Sequence, residues 1–379
     1  MRIAVLKETA AGETRVAATP DSVKKLIGLG HEIAVETGAG ASASVSDEAF
    51  AAVGARIAPN AGDALGAADV VLRVRGPSVA EIGAMRKGQG VVALLDPHVH
   101  RDAVDALAQA GVVALAMEFV PRITRAQTMD ALSSQSNLAG YRAVIEAAEL
   151  YGRAFPMMMT AAGTVAAAKV FVMGAGVAGL QAIATARRLG AIVTATDVRP
   201  AAKEQVASLG AKFVAVEDEE FKQAETAAGY AKAMSAEYQA KQAALVAEHI
   251  AKQDVVITTA LIPGRKAPVL VTEAMVRAMR PGSVIIDLAA SAGGNCPLSK
   301  ADEIVDVNGV KIAGYSNLPA RLAADSSALY AKNLLALIPL LTDKETKAFA
   351  PHWDDEIIKG AALTRDSALI HPVFAKEPA

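Results

Sequence analysis

The sequence predicts an α/β protein in which helices cover parallel sheets. Three observations lead to this prediction. Short apolar segments alternate with amphipathic ones along most of the 379 residues, an order that is typical of parallel strands joined by helices. Hydrophobic residues make up 53% of the chain and aromatic residues only 4%, so aliphatic side chains must fill the core. The length exceeds what one core usually supports, which indicates two domains.

The first series of elements occupies the N-terminal third of the chain. Its predicted strands are 3–5, 32–35, 70–74, 90–95 and 112–116. Helices are predicted over 21–29 and 103–110, because each amphipathic run is followed by a glycine that can end a helix. A polar stretch at 121–137 and a predicted helix at 138–150 come next.

A second series begins at Lys169. Its predicted strands are 170–173, 192–196, 212–215, 255–258, 284–286 and 310–313. The polar interval 217–242 interrupts this series and is too long for a plain connection. We expect either a mobile flap or an exposed helical insertion there. A long helix is predicted over 320–341, where it could return to the first domain.

The composition argues against several classes of protein. Lys and Arg (38) nearly balance Asp and Glu (40), so electrostatic capture of nucleic acid is not expected. The single cysteine, Cys296, cannot form an internal disulfide, which favours a reducing cytoplasm. The chain starts with a predicted strand rather than a signal segment, and no apolar stretch reaches the roughly 18 residues that cross a bilayer. We therefore expect a soluble protein, with peripheral attachment to a membrane complex as an alternative.

Three glycines follow the predicted strand 170–173 directly. Gly174 would permit a tight turn, Gly176 would let a pyrophosphate approach the backbone, and Gly179 would let the next helix pack closely on the strand. The free N–H groups at the start of that helix, predicted over 180–189, favour an anion. This pattern predicts a dinucleotide site. The alternative is a tight glycine turn that binds no ligand.

An acidic residue completes the pattern, because Asp197 ends the second predicted strand of this series. A carboxylate there accepts hydrogen bonds from a ribose 2′-hydroxyl and repels a 2′-phosphate, so NAD is favoured over NADP. Arg199 complicates this prediction, since an arginine can hold a 2′-phosphate. Together the two series predict two Rossmann-like parallel-sheet domains with a cleft between them. The first would span 1–137 and be completed by 325–379, and the second would span 138–324 with a mobile loop near 217–242.

The polar stretch before the second domain is dense in directional hydrogen-bonding groups. Arg122, Gln127, Asp130 and Ser133 could converge on a carboxamide, a ribose or a phosphate. From the residues alone, the better interpretation is that Asp130 or Ser133 caps the following helix.

The whole chain resembles the soluble NAD(H)-binding component, domain I or the alpha-1 subunit, of proton-translocating NAD(P) transhydrogenase. The stretches that carry the resemblance are Lys7-Glu8 with Arg15-Val-Ala, 121–144, 155–163, Gly174 to Gly179, and 257–264. It implies a homodimer that binds NAD(H) in the cleft. The residues matching the family's catalytic loop are Arg122, Gln127, Asp130 and Ser133. The residues matching its cofactor-binding positions are those four with Ile123, Thr124, Thr128, Met129, Gly174, Ala175, Gly176, Val177, Gly179, Asp197, Val198, Arg199, Gly229, Tyr230, Gln242 and Leu261.

The resemblance also implies partners, because domain I acts with a membrane subunit, domain II, and with an NADP(H)-binding domain III. Hydride would pass from NADH on this chain to NADP⁺ on the partner, as in a Si-specific/Re-specific transhydrogenase, and the membrane subunit would couple this transfer to proton translocation. The protein would then be cytoplasmic and peripherally associated with the cytoplasmic face of the inner membrane. Hydride transfer between two nicotinamides needs close contact of the rings at roughly 3–3.5 Å, with no acid, base or metal.

Alanine dehydrogenase is a more distant resemblance, and an NAD-dependent amino-acid dehydrogenase is the alternative function. That enzyme needs a cationic clamp and an acid/base histidine. Arg15 and Arg75 match the clamp positions, but Asp96 stands at the histidine position and Ser291 at that of a catalytic aspartate. His98 and His100 lie close by and could substitute. A regulatory NAD sensor without turnover also fits the glycine pattern.

Overall fold

The computed structural model describes residues 1–222, 234–262 and 264–375. The chain divides into unit 1, which comprises Met1–Gln135 and Pro319–Ala379, and unit 2, which comprises Ser136–Leu318. The strands, in chain order, are β1 (Arg2–Val5), β2 (Glu32–Glu36), β3 (Arg56–Ala58), β4 (Val70–Arg75), β5 (Gly90–Leu94), β6 (Val113–Ala116), β7 (Met158–Thr160), β8 (Gly163–Val165), β9 (Lys169–Met173), β10 (Ile192–Thr196), β11 (Lys212–Phe213), β12 (Val255–Thr258), β13 (Val284–Asp287), β14 (Ile304–Val307), β15 (Val310–Ala313), β16 (Thr364–Arg365) and β17 (Ala368–Leu369). The α-helices are α1 (Pro20–Gly28), α2 (Asp47–Ala52), α3 (Ala61–Leu65), α4 (Val79–Ile82), α5 (Arg101–Gln109), α6 (Ala131–Leu150), α7 (Val177–Arg188), α8 (Ala202–Ser208), α9 (Glu219–Lys222), α10 (Ala236–Ile250), α11 (Glu273–Ala278), α12 (Ala323–Leu337) and α13 (Glu356–Ala361).

Unit 1 is built on a six-stranded sheet in which every pair of neighbours is parallel, in the order β3-β2-β1-β4-β5-β6. The central strand β1 is buried on both faces. Ile3 and Val5 pack into one hydrophobic cluster, while Ala4 packs into the cluster on the opposite face. This alternation explains why its sequence is an unbroken apolar run.

The C-terminal segment of unit 1 packs on this sheet. The hydroxyl of Tyr330, in α12, donates to the Arg73 carbonyl oxygen in β4 at 2.9 Å. The Thr364 hydroxyl accepts from the Ala114 N–H at 2.9 Å and donates to the Val112 carbonyl oxygen at 2.7 Å. Buried polar side chains therefore attach residues from the end of the chain to strands from its beginning.

Unit 2 is built on a seven-stranded sheet in the order β11-β10-β9-β12-β13-β15-β14. All pairs are parallel except β14 and β15 at one edge. In β9, Val170 and Val172 pack into one hydrophobic cluster and Phe171 and Met173 into the other. The predicted α/β class with Rossmann-like parallel sheets is confirmed in both units.

Several short elements were not predicted from the sequence. Strands β3 and β14 add an edge strand to the unit 1 and unit 2 sheets. Strands β7 and β8 form an antiparallel hairpin in a segment for which the sequence predicted no strand. Its side chains are almost all exposed, so the segment lacks the pattern of burial from which a strand is recognised.

The longest described helix, α6, begins at Ala131 rather than at the predicted residue 138. Its first turns contain serine and glutamine, which made them resemble a loop. The Asp130 carboxylate accepts from the Ser133 N–H at 2.8 Å and so caps the helix at this earlier point. Among the helices that the structure describes, none is long and apolar enough to span a membrane.

Candidate functional site

The candidate site lies at the carboxyl edge of the unit 2 sheet. The central strand β9 is flanked by β10 on one side and β12 on the other, so the strand order reverses there. Open parallel sheets bind ligands outside the carboxyl ends of the strands at such a point. The glycine turn follows β9, Asp197 follows β10, and Leu261 lies shortly after β12.

The three glycines of the turn have different reasons to be glycine. Gly174 has φ +103°, and a Cβ there would lie 2.5 Å from the Thr259 hydroxyl oxygen. A Cβ on Gly179 would overlap the Gly174 carbonyl oxygen. Gly176 has φ −76°, and a Cβ there would meet no atom within 4 Å. The protein's own packing therefore requires Gly174 and Gly179, whereas Gly176 borders open space.

Helix α7 begins at Val177, directly after this open space. Its N-cap residue is Gly176, and no side chain caps the helix. The first backbone N–H groups of the helix and the positive end of its dipole are therefore available to an anion. The observed turn has the three features that the sequence predicted for a pyrophosphate site: a tight bend, close packing and an open approach.

Asp197 lies beside the turn and is hydrogen-bonded to it. Its Oδ2 accepts from the Ala175 N–H at 2.7 Å. Its Oδ1 accepts from the backbone N–H and the Nε of Arg199 at 2.9 and 3.0 Å. The Arg199 guanidinium therefore forms an ion pair with the carboxylate that was predicted to bind a ribose.

Gln242 reaches the same edge of the sheet from α10. Its Oε1 accepts from the Val216 N–H at 2.8 Å, and its Nε2 donates to the Thr196 hydroxyl at 3.2 Å. Thr196 immediately precedes Asp197. The structure therefore brings one residue of the predicted flap to the end of β10, while the other two, Gly229 and Tyr230, lie outside the described residues.

Exposed apolar side chains surround the turn and the strand ends. The relative exposures are 42% for Val177, 63% for Val198, 54% for Leu261 and 46% for Ile262. Apolar surface beside a polar turn is typical of sites that bind flat aromatic rings. Ile262 was not predicted from the sequence, although it adjoins Leu261.

The polar loop lies in unit 1 and includes a 3₁₀ helix at Thr124–Met129. Its side chains divide into two sets. Ile123 packs against the hydrophobic core and Met129 is buried within it. The exposed side chains include Arg122, Thr124, Gln127 and Thr128, which were predicted to bind the cofactor, and also Arg125. Contact of the Met129 side chain with a ligand would thus require repacking of the core.

Two of the predicted loop residues bind each other. Asp130 accepts from the Ser133 N–H, as described above, and from the Ser133 hydroxyl at 2.5 Å. Asn333, from α12, donates to the Thr128 carbonyl oxygen at 2.8 Å and accepts from the Ser134 hydroxyl at 2.7 Å. The helix-capping interpretation of Asp130 is confirmed, and a contact of this residue with a cofactor stays a prediction.

Family comparisons cover nearly the whole chain. Residues 4–139 match the family described as "Alanine dehydrogenase/PNT, N-terminal domain", and residues 143–372 match "Alanine dehydrogenase/PNT, C-terminal domain". The chain belongs to the alanine dehydrogenase/PNT family.

Within the alanine dehydrogenase/PNT family, the similarity extends over full lengths. The first part of the NAD(P) transhydrogenase alpha subunit of Rhodospirillum rubrum is 56% identical and is aligned over 100% of both chains. A solved transhydrogenase from Sinorhizobium meliloti has a TM-score of 0.89 and 55% identity, and the match covers 98% of this chain and 100% of that one. "Alanine dehydrogenase" of Mycolicibacterium smegmatis is 30% identical over 100% of this chain and 96% of its own length. The predicted order of the two resemblances is confirmed.

The positions that resemble the clamp of alanine dehydrogenase are arginines bound to Glu13. The Nε and Nη2 atoms of Arg15 donate to the two Glu13 carboxylate oxygens at 2.7 and 2.6 Å, and its Nη1 donates to Gln135 at 2.8 Å. The Nε of Arg75 donates to Glu13 at 3.2 Å. Burial acts to raise the pKa of Glu13, but the bonds and charge of Arg15 outweigh it and lower the pKa to about 2. In this alanine dehydrogenase/PNT chain, the Glu13 carboxylate therefore occupies the side of the Arg15 guanidinium that could otherwise bind a substrate carboxylate.

Around Asp96 the structure shows a second buried carboxyl group. The Oε1 of Glu118 accepts from the N–H groups of Leu95 and Asp96 at 2.9 and 2.6 Å, and its buried Oε2 has no hydrogen-bond partner among the described residues. Burial raises the pKa of Glu118 to about 7, although the backbone N–H groups act in the opposite direction. His98 is exposed with its ring against Phe374 at 4.8 Å between centroids.

Sequence reasoning missed the residues that support the loop after β12. The Thr259 hydroxyl donates to the Gly174 carbonyl oxygen at 3.1 Å. Asn295 and Asp287 are fully buried beside this loop, next to Cys296, and burial raises the pKa of the Cys296 thiol. Thr259 belongs to a stretch that carried the family resemblance, so it could have been found, whereas Asn295 has no local sequence signal.

Proposed function

We propose that this chain is the soluble NAD(H)-binding subunit of a proton-translocating NAD(P) transhydrogenase. The observation that carries the proposal is the open space over Gly176, between an uncapped helix N-terminus and Asp197, in a chain that is similar over its full length to a transhydrogenase alpha subunit. Neither Gly176 nor the missing cap is explained by the packing of the protein itself, and a bound pyrophosphate explains both.

Each part of the unit 2 site has a role in this proposal. The N-terminal turn of α7 binds the pyrophosphate, and the Asp197 carboxylate accepts hydrogen bonds from a ribose. Because Arg199 already pairs with Asp197, it must shift or share the carboxylate when a ribose hydroxyl binds. Exposed apolar side chains, Leu261 among them, provide surface for the adenine ring.

The polar loop of unit 1 is assigned to the nicotinamide end. Arg122 and Gln127 are exposed, so their side chains are available to orient the carboxamide and its ribose. Asp130 and Ser133 hold the start of α6 and, through it, the shape of the loop. When bound, NADH supplies the hydride, and NADP⁺ on a partner subunit accepts it.

This transfer needs orientation and exclusion of water rather than a proton-shuttling side chain. The partners in this proposal are a second copy of the chain, an NADP(H)-binding subunit and a membrane subunit that couples the transfer to proton movement. The chain then lies at the cytoplasmic face of the inner membrane. The similarity to transhydrogenase alpha subunits supports these partners, and the exposed methionine hairpin β7–β8 supports the homodimer.

The structure gives less support to the alternative, an amino-acid dehydrogenase. Arg15, at a clamp position, has 3% exposure and forms a two-bond ion pair with Glu13. A keto acid carboxylate would have to displace Glu13 to bind it. The exposed residues Asp96 and Ser291 stand where that reaction requires a histidine and an aspartate.

One assay distinguishes the functions. Purified chain is incubated with NADH, pyruvate and ammonia, and separately with NADH, an NADP⁺ analogue and the cognate NADP-binding component, while NADH oxidation is followed. Oxidation in the second mixture alone is the expected result. Oxidation in the first mixture would overturn the proposal in favour of the dehydrogenase. Binding of NADH without oxidation in either mixture would overturn it in favour of a sensor.

A further inference from the structure

We propose that Asn295 is a positioning residue for dinucleotide binding, which it serves by fixing the backbone of the loop after β12. This inference rests on the proposed function, since it concerns the same site. The hydrogen bonds of the Asn295 side chain go to Ala260 and Pro268, neither of which is a predicted cofactor position. Asn295 acts through Ala260, which lies between Thr259 and Leu261 in the sequence.

The Asn295 side chain uses all of its hydrogen-bonding groups except one lone pair. Its Nδ2 donates to the carbonyl oxygens of Ala260 and Pro268 at 2.9 and 2.8 Å. Its Oδ1 accepts from the Ala260 N–H at 3.1 Å. Both polar groups of one peptide residue are therefore held by one amide. This pairing also fixes the orientation of the amide, because a carbonyl oxygen can only accept and an N–H can only donate.

Asn295 is itself held in a rigid frame. Its side chain is fully buried, and its backbone carbonyl oxygen accepts from Leu270 and Val271 at 2.8 and 3.0 Å. The next residue, Cys296, donates its N–H to the buried carboxylate of Asp287 at 3.1 Å. Asp287 ends β13, so the sheet fixes the amide that in turn fixes Ala260.

Ala260 connects two parts of the proposed site. On one side, the Thr259 hydroxyl donates to Gly174 in the glycine turn. On the other side, Leu261 and Ile262 expose about half of their surface. An exposed apolar pair has few contacts of its own to hold it in place. A fixed backbone lowers the entropy lost when a ligand binds to such side chains.

An isosteric substitution can separate positioning from stability. In Asn295→Asp, one oxygen still accepts from the Ala260 N–H, but the N–H groups that served the partly buried carbonyl oxygens of Ala260 and Pro268 are lost. Gln253→Glu is the matched control. Gln253 is a buried amide just before β12, at the opposite end of the strand, and its Nε2 donates to the His249 carbonyl oxygen at 3.0 Å.

The experiment measures NADH affinity by titration of the purified full-length chain, with circular dichroism and thermal unfolding of each variant. We expect the Kd for NADH to rise about tenfold or more in Asn295→Asp and to stay within about twofold in Gln253→Glu. With the NADP-binding component present, KM for NADH should rise while kcat at saturating NADH is retained. Asn295→Ser, which is neutral and too short to reach Pro268, replaces the aspartate variant if that variant does not fold.

Two results would overturn the inference alone. One is near-normal NADH affinity in folded Asn295 variants, and the other is an equal loss of affinity in Gln253→Glu. If instead the unaltered chain fails to bind NADH, the proposed function fails and the inference fails with it. The two failures are therefore distinguishable.

Discussion

The backbone N–H of Ala175 donates a hydrogen bond of 2.7 Å to the carboxylate of Asp197. This contact joins the glycine turn after β9 to the end of β10. One carboxylate therefore fixes the shape of the turn and presents a negative charge where the proposed ribose binds. Arg199 pairs with the same carboxylate. The preference of this position for a ribose hydroxyl over a phosphate therefore depends on two side chains of opposite charge.

Removal of the Asp197 charge should change cofactor selectivity. Asparagine can still accept from the Ala175 N–H, but it no longer repels a 2′-phosphate, and Arg199 is released to attract one. We expect Asp197→Asn to lower the ratio of the Kd values for NADPH and NADH by about tenfold, measured by fluorescence titration. Asp254→Asn, which changes a carboxylate near the amino end of β12, should leave this ratio unchanged. An unaltered ratio in Asp197→Asn would argue against the ribose assignment.

Gly176→Ala tests whether the open space over the turn is a phosphate site. The added methyl meets no protein atom within 4 Å and φ is ordinary, so the fold should be retained. It would lie against a phosphate, so the Kd for NADH should rise at least about tenfold. Gly28→Ala is the control, because Gly28 also borders open space, at the end of α1. Equal NADH affinity in both variants would leave Gly176 without a role in binding.

Asp130→Asn separates helix capping from cofactor orientation. Asparagine caps helices about as well as aspartate, so thermal stability should change little. If the charge orients the cofactor, turnover with the NADP-binding component should fall by at least about tenfold. Asp63→Asn, at an exposed carboxylate in α3, serves as the control. Normal turnover in Asp130→Asn would restrict this residue to a structural role.

The glycine turn could be predicted from the sequence because its requirements are local. Gly174 needs a positive φ, Gly179 needs close packing near the start of a helix, and both needs fall within the short segment 174–179. The sheets could be predicted for the same reason, because the alternation of apolar strands with amphipathic helices is also visible locally in the sequence. The acidic residue at Asp197 could also be found, because it ends a strand that the hydrophobic pattern identifies.

The elements that were missed depend on contacts distant in sequence. Strand β3 has only three residues, and β14 is a partly exposed edge strand, so neither shows enough periodicity. The early start of α6 depends on a cap at Asp130 and on Asn333 from α12, which supports its first turn. Asn295 has no local signal, because its partner Ala260 lies 35 residues away in the sequence.

Glu118 should make the stability of the protein depend on pH near neutrality. Its pKa is raised by burial to about 7, above the unfolded value near 4.5, so between these values the folded state holds a proton that the unfolded state has lost. Stability should therefore fall as the pH rises through this window. Glu118→Gln stays neutral, so its stability relative to the unaltered chain should rise by about 2.5 kcal/mol between pH 5 and pH 8, measured by denaturant unfolding. Glu13 has a pKa lowered to about 2, so it adds no slope in this range.

The hairpin β7–β8 should support the proposed homodimer. Met157, Met158 and Met159 are 63%, 44% and 77% exposed, a run of apolar side chains that association would cover. We expect the double substitution Met157→Glu with Met159→Glu to convert dimer to monomer, measured by light scattering during size-exclusion chromatography. Val373→Glu, at a 63% exposed position in unit 1, should remain dimeric. A dimer that persists in the double variant would locate the interface elsewhere.

The fully buried Cys296 gives the chain a practical advantage for spectroscopy. These 379 residues contain one cysteine, burial removes its thiol from solvent, and its raised pKa keeps it protonated and unreactive toward maleimides. A single cysteine introduced at the exposed Val198 can therefore carry a fluorescent or spin label without removal of the native one. Such a label would report on nucleotide arrival and departure in real time, in the otherwise natural polypeptide.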